Sequence, residues 1–160
     1  MVVTTYLEMF EPPAYGRPSL EGMHVLRCLH PTAAYYRFLY AEVGRDWEWK
    51  DRDAISDDSL QLWLEHPGLE LYVLFVDGHP AGYSELTRLR GEVKIVYFGL
   101  LPAYIGRGLG RQWLEWTIHE AWNEETRRLW VHTCTLDHPR ALANYERAGL
   151  RVYKSETIAS

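Results

Sequence analysis

Hydrophobic and polar positions change period along the chain, and each change marks an element. Residues 2–9 (VVTTYLEM) mix β-branched and polar residues as a strand does, and Pro12-Pro13 cannot continue a ladder, so the segment reads as an edge strand. A short strand follows at 24–29. From Pro31 the spacing becomes helical: Ala34, Phe38 and Ala41 or Glu42 follow the 3.6 period as far as Val43, and Gly44 is a fitting stop. A second helix is expected from Asp57 or Asp58 to His66, with its acidic residues at the positive end of the dipole and Pro67-Gly68 beyond it. The period then drops to that of strands. Residues 69–76 (LELYVLFV), the Asp77-Gly78 pair and 79–86 (HPAGYSEL) predict a hairpin, and 92–101 (EVKIVYFGLL) the next strand. A glycine-rich stretch leads into a helix ending near Asn123 or Glu125; a strand at 128–136, a short helix at 138–149 and a last strand at 150–156 complete the order. A meander followed by β-loop-α-β-α-β predicts a layered α/β (α+β) domain spanning 1–160 with a mixed sheet.

Composition narrows the class. The hydrophobic share of 47% and charged share of 24% are those of a globular chain, and no apolar run approaches the ~18 residues of a membrane span. The first residues carry no basic segment ahead of an apolar one, so no signal peptide is expected. Cys28 and Cys134, the two cysteines, are too few for a disulfide framework and suit a reducing, cytoplasmic setting. A net charge of -5 argues against a nucleic-acid partner and is compatible with a cationic substrate. Nothing indicates a membrane partner, and a homodimer is left open.

The stretch 104–113, YIGRGLGRQW, crowds three glycines into five positions before a helix. Backbone N–H groups and the positive end of a helix dipole would converge there, which suits a phosphate. Gly106 and Gly108 would let the chain curl around an anion, and Arg107 and Arg111 could add charge. Gly110, on a stripe with Leu114, Ile118 and Ala121, would let the helix start lie close to the sheet. With no G-K-[ST] the stretch is not a P-loop, and Arg111 at the third glycine position excludes G-x-G-x-x-G. A plain turn remains an equal reading of this stretch alone.

Residues 104–110, Y-x-G-R-G-x-G, followed some thirty residues on by 137–150, D-H-P-R-A-L-x-N-Y-x-x-x-G-L, resemble the GNAT superfamily of acyl-CoA-dependent N-acetyltransferases. That resemblance covers about 70–156. It implies a GNAT-like sheet, mostly antiparallel with one splayed parallel pair, flanked by helices, and it implies acetyl-CoA as cosubstrate. The family's [RQ]-x-x-G-x-[GA] pyrophosphate loop falls on Ile105, Gly106, Arg107, Gly108, Leu109 and Gly110, with Ile105 in place of Arg or Gln. The family's N-x-x-A-x-x-x-Y-x-x-x-G-[FL] falls on His138, Ala141, Tyr145, Gly149 and Leu150, with His138 in place of Asn. By the same likeness, strands 93–101 and 129–136 splay at a bulge suited by Gly99. Phe98 and Leu100 then offer main-chain groups to the acetyl and pantetheine parts of the cosubstrate.

The implied reaction is transfer of an acetyl group to a primary amine, of a small molecule or a peptide, by direct attack in a ternary complex. The alternative is a non-catalytic acyl-CoA-binding or interaction domain. Tyr145 is the expected acid for the leaving sulfur, although the stripe Ala141, Tyr145, Ala148 also packs a core. Glu85 is the expected base because a carboxylate inside the strand-like GYSEL is hard to explain otherwise; Glu92 is the second candidate, and Lys94 cannot serve while charged. The aromatic segment 35–52 is expected to wall the acceptor site through Tyr36, Tyr40, Trp47 and Trp49, joined by Tyr97, with core packing the competing use. Asp46, Glu48, Asp51 and Asp53 read as a solvated face. His132, Cys134 and His138 lack the further ligands of a tetrahedral set, so no metal is expected.

Overall fold

The strands marked by the alternation assemble, in the computed structural model, which describes residues 1–159, into one seven-stranded sheet. In chain order the elements are β1 (Val2–Met9), β2 (Met23–Arg27), α1 (Ala33–Gly44), α2 (Asp57–Leu64), β3 (Leu69–Val76), β4 (His79–Leu89), β5 (Glu92–Leu100), α3 (Leu109–Ala121), β6 (Arg128–Cys134), α4 (Ala141–Arg147) and β7 (Arg151–Ile158). Short 3-10 turns occupy Arg45–Trp47 and Pro102–Tyr104. The sheet order is β2-β3-β4-β5-β6-β1-β7, and every pair is antiparallel except β5 with β6.

β1 is therefore not an edge strand. It lies between β6 and β7 and buries Leu7 and Met9, so the edges belong to β2 and β7. Its partners come from the far end of the chain, which local pattern does not register.

Both faces of the central strands are covered. In β3, Leu71 and Val73 point to a layer formed by α1 and α2, while Tyr72 and Leu74 point to a layer formed by α3 and α4; hence its near-continuous apolar run. α3 brings Trp113, Leu114, Ile118 and Ala121 to its face, with Trp113 fully buried. α1 is capped by Thr32, whose hydroxyl accepts from the Tyr35 amide, and it buries Tyr36, Leu39, Tyr40 and Val43. That face is not the one expected from Ala34, Phe38 and Ala41, all of which are exposed; burial of the large tyrosine rings outweighs burial of two alanines and one phenylalanine.

The C-terminus of α3 is tied down by a side chain from β4. Arg88 donates to the carbonyls of Glu120 and Ala121, each at 2.7 Å, and pairs through Nε with the Glu70 carboxylate. These carbonyls have no partner within the helix. Arg88→Ala is expected to lower unfolding free energy by roughly 2–4 kcal/mol, because charge-assisted hydrogen bonds are lost, the Glu70 carboxylate loses its cation and the Glu120 carbonyl is left bare, while the Ala121 carbonyl keeps the Thr126 hydroxyl. Urea denaturation of the variant checks this.

Candidate active site

The parallel ladder between β5 and β6 is short. It runs from Glu92 opposite Arg128 to Ile95 opposite Val131 and then stops. At that point β5 carries one extra residue: Glu85 faces Tyr97 but Leu86 faces Ile95, so Val96 is a bulge. A bulge bends its strand and reverses the alternation beyond it. Ile95 thus faces α3, Tyr97 turns to the α1 side, and Phe98 turns back toward α3, where it stacks on Trp113 at 6.1 Å. β5 and β6 diverge from here. The bulge lies at Val96 rather than at Gly99, whose bareness has another cause: a Cβ there would sit 2.6 Å from Val43 of α1.

The divergence opens a cleft of about 600 Å³ lined by both strands, by 105–111, by the start of α4 and by the segment after α1. Phe98, Leu100, Ile105, Gly106, Gly108, Gly110, Arg111, His138 and Tyr145 all line it, as do Trp47 and Tyr97. Arg107 and Leu109 do not; the Arg107 guanidinium lies 5.1 Å over the Tyr104 ring.

The glycine loop enters α3 through two left-handed residues, Gly106 at φ 85° and Gly108 at φ 77°, the second being the helix N-cap. No side chain caps α3 and no acidic residue sits in its first turn, so the leading N–H groups face the cleft mouth unclaimed. A Cβ at Gly106 or Gly108 meets nothing within 4 Å, so the backbone angle alone demands glycine. Gly110 serves neither end: a Cβ there would meet Leu100 at 3.9 Å, ordinary contact, so close helix-sheet approach is not its reason. Arg111, Arg140 and Arg147 place three cations around this end, two of them unforeseen from the sequence.

Tyr145 stands where the two strands part, only 7% exposed, its ring edge-on to Phe98 at 6.5 Å. Its hydroxyl has no hydrogen-bond partner among the described residues. Burial, aided by the Asp137 carboxylate, pushes the phenol well above the usual tyrosine range and so keeps it protonated. α4 begins at Ala141 rather than at the Pro139 of a Pro-first helix; His138 instead accepts the Arg140 amide on Nδ1 at 3.0 Å and packs edge-on against Trp47.

The opposite end of the cleft is acidic and aromatic. Asp51 accepts from the Tyr97 hydroxyl at 3.1 Å, and Tyr97 packs on Trp49 at 4.8 Å. Asp137 accepts from Thr133 Oγ1 at 2.6 Å, from the Cys134 amide at 2.9 Å and from Trp49 Nε1 at 3.3 Å. Glu48, Asp51 and Asp137 line this end with Lys50 the cation among them. Asp51 and Glu48 are exposed, as expected of a solvated face, and the turn that carries them also brings them to the cleft wall, which the sequence pattern does not register.

Tyr36, Tyr40 and Glu85 lie outside the cleft. Tyr36 and Tyr40 are core residues, 0% and 3% exposed. Glu85 is fully buried between β4 and α1; it accepts from Tyr36 Oη, from Arg52 Nη2 at 3.1 Å and from Trp63 Nε1 at 3.4 Å. A carboxylate enclosed by these three donors has no direct path to an amine in the cleft. Among the described residues, no three His, Cys, Asp or Glu side chains are grouped to hold a metal ion, and no helix is long and apolar enough to cross a membrane.

Comparison with known proteins agrees with this geometry. The profile of the Acetyltransferase (GNAT) family matches residues 34–150, and the chain belongs to that family. Over 88 residues it is 27% identical to a putative [ribosomal protein bS18]-alanine N-acetyltransferase of Bacillus subtilis, covering 55% of this chain and 58% of that one. Among solved structures it resembles a GCN5-related N-acetyltransferase from Sphaerobacter thermophilus, with TM-score 0.72 and 17% identity over 96% of this chain and 49% of the other. It also resembles the aminoglycoside acetyltransferase meta-AAC0020 from an uncultured soil metagenomic sample, with TM-score 0.66 and 14% identity over 81% of this chain and 89% of the other. The chain thus spans about half the length of two of these relatives. The mixed sheet with its single parallel pair is the GNAT fold.

Proposed function

We propose that the chain is an acetyl-CoA-dependent N-acetyltransferase acting on a primary amine. The observation that carries this reading is the divergence of β5 from β6 after Ile95 and Val131, opening directly onto a left-handed glycine loop and an uncapped helix N-terminus. A long ligand with an extended arm and a phosphate cluster fits such a groove: unpaired strand edges receive the arm, and amides receive the phosphates.

When bound, acetyl-CoA supplies a thioester whose carbonyl carbon accepts the amine and whose sulfur departs. The chain's residues divide the remaining work. The α3 N-terminus with Arg111, Arg140 and Arg147 holds the phosphates. The edge of β5 at Phe98 and Leu100 orients the arm. Tyr145, kept protonated by burial, hydrogen-bonds the departing sulfur and relays to it the proton that the attacking nitrogen sheds as the amide forms, so that the sulfur leaves as thiol and the phenol ends the step protonated. Glu48, Asp51 and Asp137 favour a cationic acceptor at the far end, and Trp47 and Tyr97 wall it.

The acceptor is placed in the class of peptide or small-molecule amines. Free-thiol release from acetyl-CoA, followed with an alanine-terminated peptide and an aminoglycoside as trial acceptors, tests the reading. Acetyl-CoA binding with acceptor-dependent release supports it; binding without release on any amine would favour the non-catalytic alternative. Gly108→Val is expected to weaken acetyl-CoA binding about tenfold or more, because a β-branched residue at φ 77° carries roughly 1–2 kcal/mol of strain and reshapes the loop. Calorimetric titration reads that change.

A further inference from the structure

The amine must lose a proton before it attacks, and the enclosure of Glu85 leaves that step without its expected acceptor. We infer that His132 accepts the proton of the acceptor ammonium, an inference that rests on the acetyltransferase reading above.

His132 is the first β6 residue beyond the last parallel pair, Ile95 with Val131, so it stands where the cleft opens. It is exposed within the cleft, with its ring 5.5 Å from that of Tyr6 and 6.4 Å from that of Trp130. Neither ring nitrogen hydrogen-bonds to any described residue. Among the other basic groups that line the cleft, Glu48 is exposed and is not one of the charges that act on His132, and the rest already hold donors. Asp51 holds the Tyr97 hydroxyl, Asp137 holds three donors, and His138 Nδ1 holds the Arg140 amide. Lys94 lies with its nitrogen 4.6 Å over the Trp130 ring, and burial together with Arg52 lowers its pKa from the ordinary lysine value.

The groups facing the imidazole come from four elements: Tyr6 on β1, Lys94 on β5, Asp51 on the segment after α1, and Asp137 after β6, with Lys154 of β7 beyond Tyr6. Burial and Lys94 favour the neutral ring, while Asp137 and Asp51 favour the charged one; the balance lies below the ordinary value of 6.5. A neutral ring at physiological pH has its lone pair free. In the step, one N–H bond of the ammonium breaks, its electron pair remains on nitrogen as the attacking lone pair, and the proton bonds to the imidazole nitrogen. The imidazolium returns it to water through the open side. An α-ammonium, with a pKa near 8, gives up its proton to imidazole more readily than a lysine side chain near 10.4, so the arrangement favours α-amines.

The test combines nuclear magnetic resonance with kinetics. Side-chain resonances of histidine-labelled protein, with His132 assigned by its loss in His132→Gln, should titrate with a midpoint below about 6.5. The kcat/KM for acetylation of an alanine-terminated peptide should fall on an acid limb with that same midpoint. In His132→Gln the limb should vanish and the neutral-pH rate drop about 10²-fold or more, while calorimetric binding of acetyl-CoA stays at the parental affinity. His132→Ala should recover rate on addition of free imidazole. Persistence of the limb in His132→Gln, or a resonance midpoint that differs from the kinetic one, would overturn the inference while leaving acetyl transfer standing. If the parent protein binds no acetyl-CoA, the acetyltransferase reading falls and takes this inference with it.

Discussion

Tyr145→Phe is expected to lower kcat by about 10²–10⁴-fold, the range over which a positioned general acid contributes, with little change in either acetyl-CoA affinity or melting temperature. Three features of the residue require this combination. The hydroxyl makes no hydrogen bond to any described residue, so its removal strips the protein of no internal bond. The ring contact with Phe98 at 6.5 Å survives in phenylalanine, so the cleft keeps its shape. The phenol, raised by burial and by Asp137, stays protonated through the alkaline range in which free tyrosine ionises, so the proton needed by the sulfur is available. It follows that parental kcat should hold up above pH 10 as far as Tyr145 governs it. Steady-state thiol release across pH, alongside thermal melts of both proteins, checks the prediction. A variant with parental kcat would show that Tyr145 only packs the junction of β5 and α4.

Glu85→Ala is expected to have the opposite signature, a large loss of stability with turnover per folded molecule of the same order as the parent. Glu85 and Arg52 form an ion pair at 3.1 Å whose side chains are 0% and 10% exposed. Arg52 Nη1 is already buried without a partner, although the guanidinium lies over the rings of Tyr36, Trp63 and Tyr97. Deleting the carboxylate leaves that charge buried and uncompensated, and also frees Tyr36 Oη and Trp63 Nε1. Breaking one side of such a pair costs about 3–5 kcal/mol. The pair joins β4 to the 48–56 segment that carries Asp51 into the cleft, so the KM for the acceptor should rise even where kcat does not. Urea denaturation gives the stability, and kinetics at a temperature where the variant is folded give the rest. A kcat collapse in stably folded Glu85→Gln, with its acid limb abolished, would instead return Glu85 to the role of base.

The strands, the hairpin at Asp77-Gly78 and the helix after the glycines were legible because each is set by local chemistry: alternation, a left-handed turn, an N-terminus. The insertion of β1 between β6 and β7 was not, since its partners are more than a hundred residues away and Val2–Met9 reads equally well at an edge. The site shows the same division. Glycines with positive φ and the spaced Tyr145 motif survive as sequence features, so the cleft end near α3 could be foreseen. The bulge could not: Val96 carries no turn residue, and the register shift exists only between two strands. Glu85 looked reactive because a carboxylate inside a strand stands out, but its enclosing donors come from α1, α2 and the intervening segment. His132 was weighed only as a metal ligand, because its place at the parting of β5 and β6 depends on where that bulge falls.

Isothermal titration of acetyl-CoA into the parent protein and into Gly108→Val tests the central claim most directly, since it examines the groove itself without needing the acceptor. The predicted result is saturable one-to-one binding by the parent that weakens about tenfold or more in Gly108→Val. No binding by the parent, or equal binding by both proteins, would contradict the account.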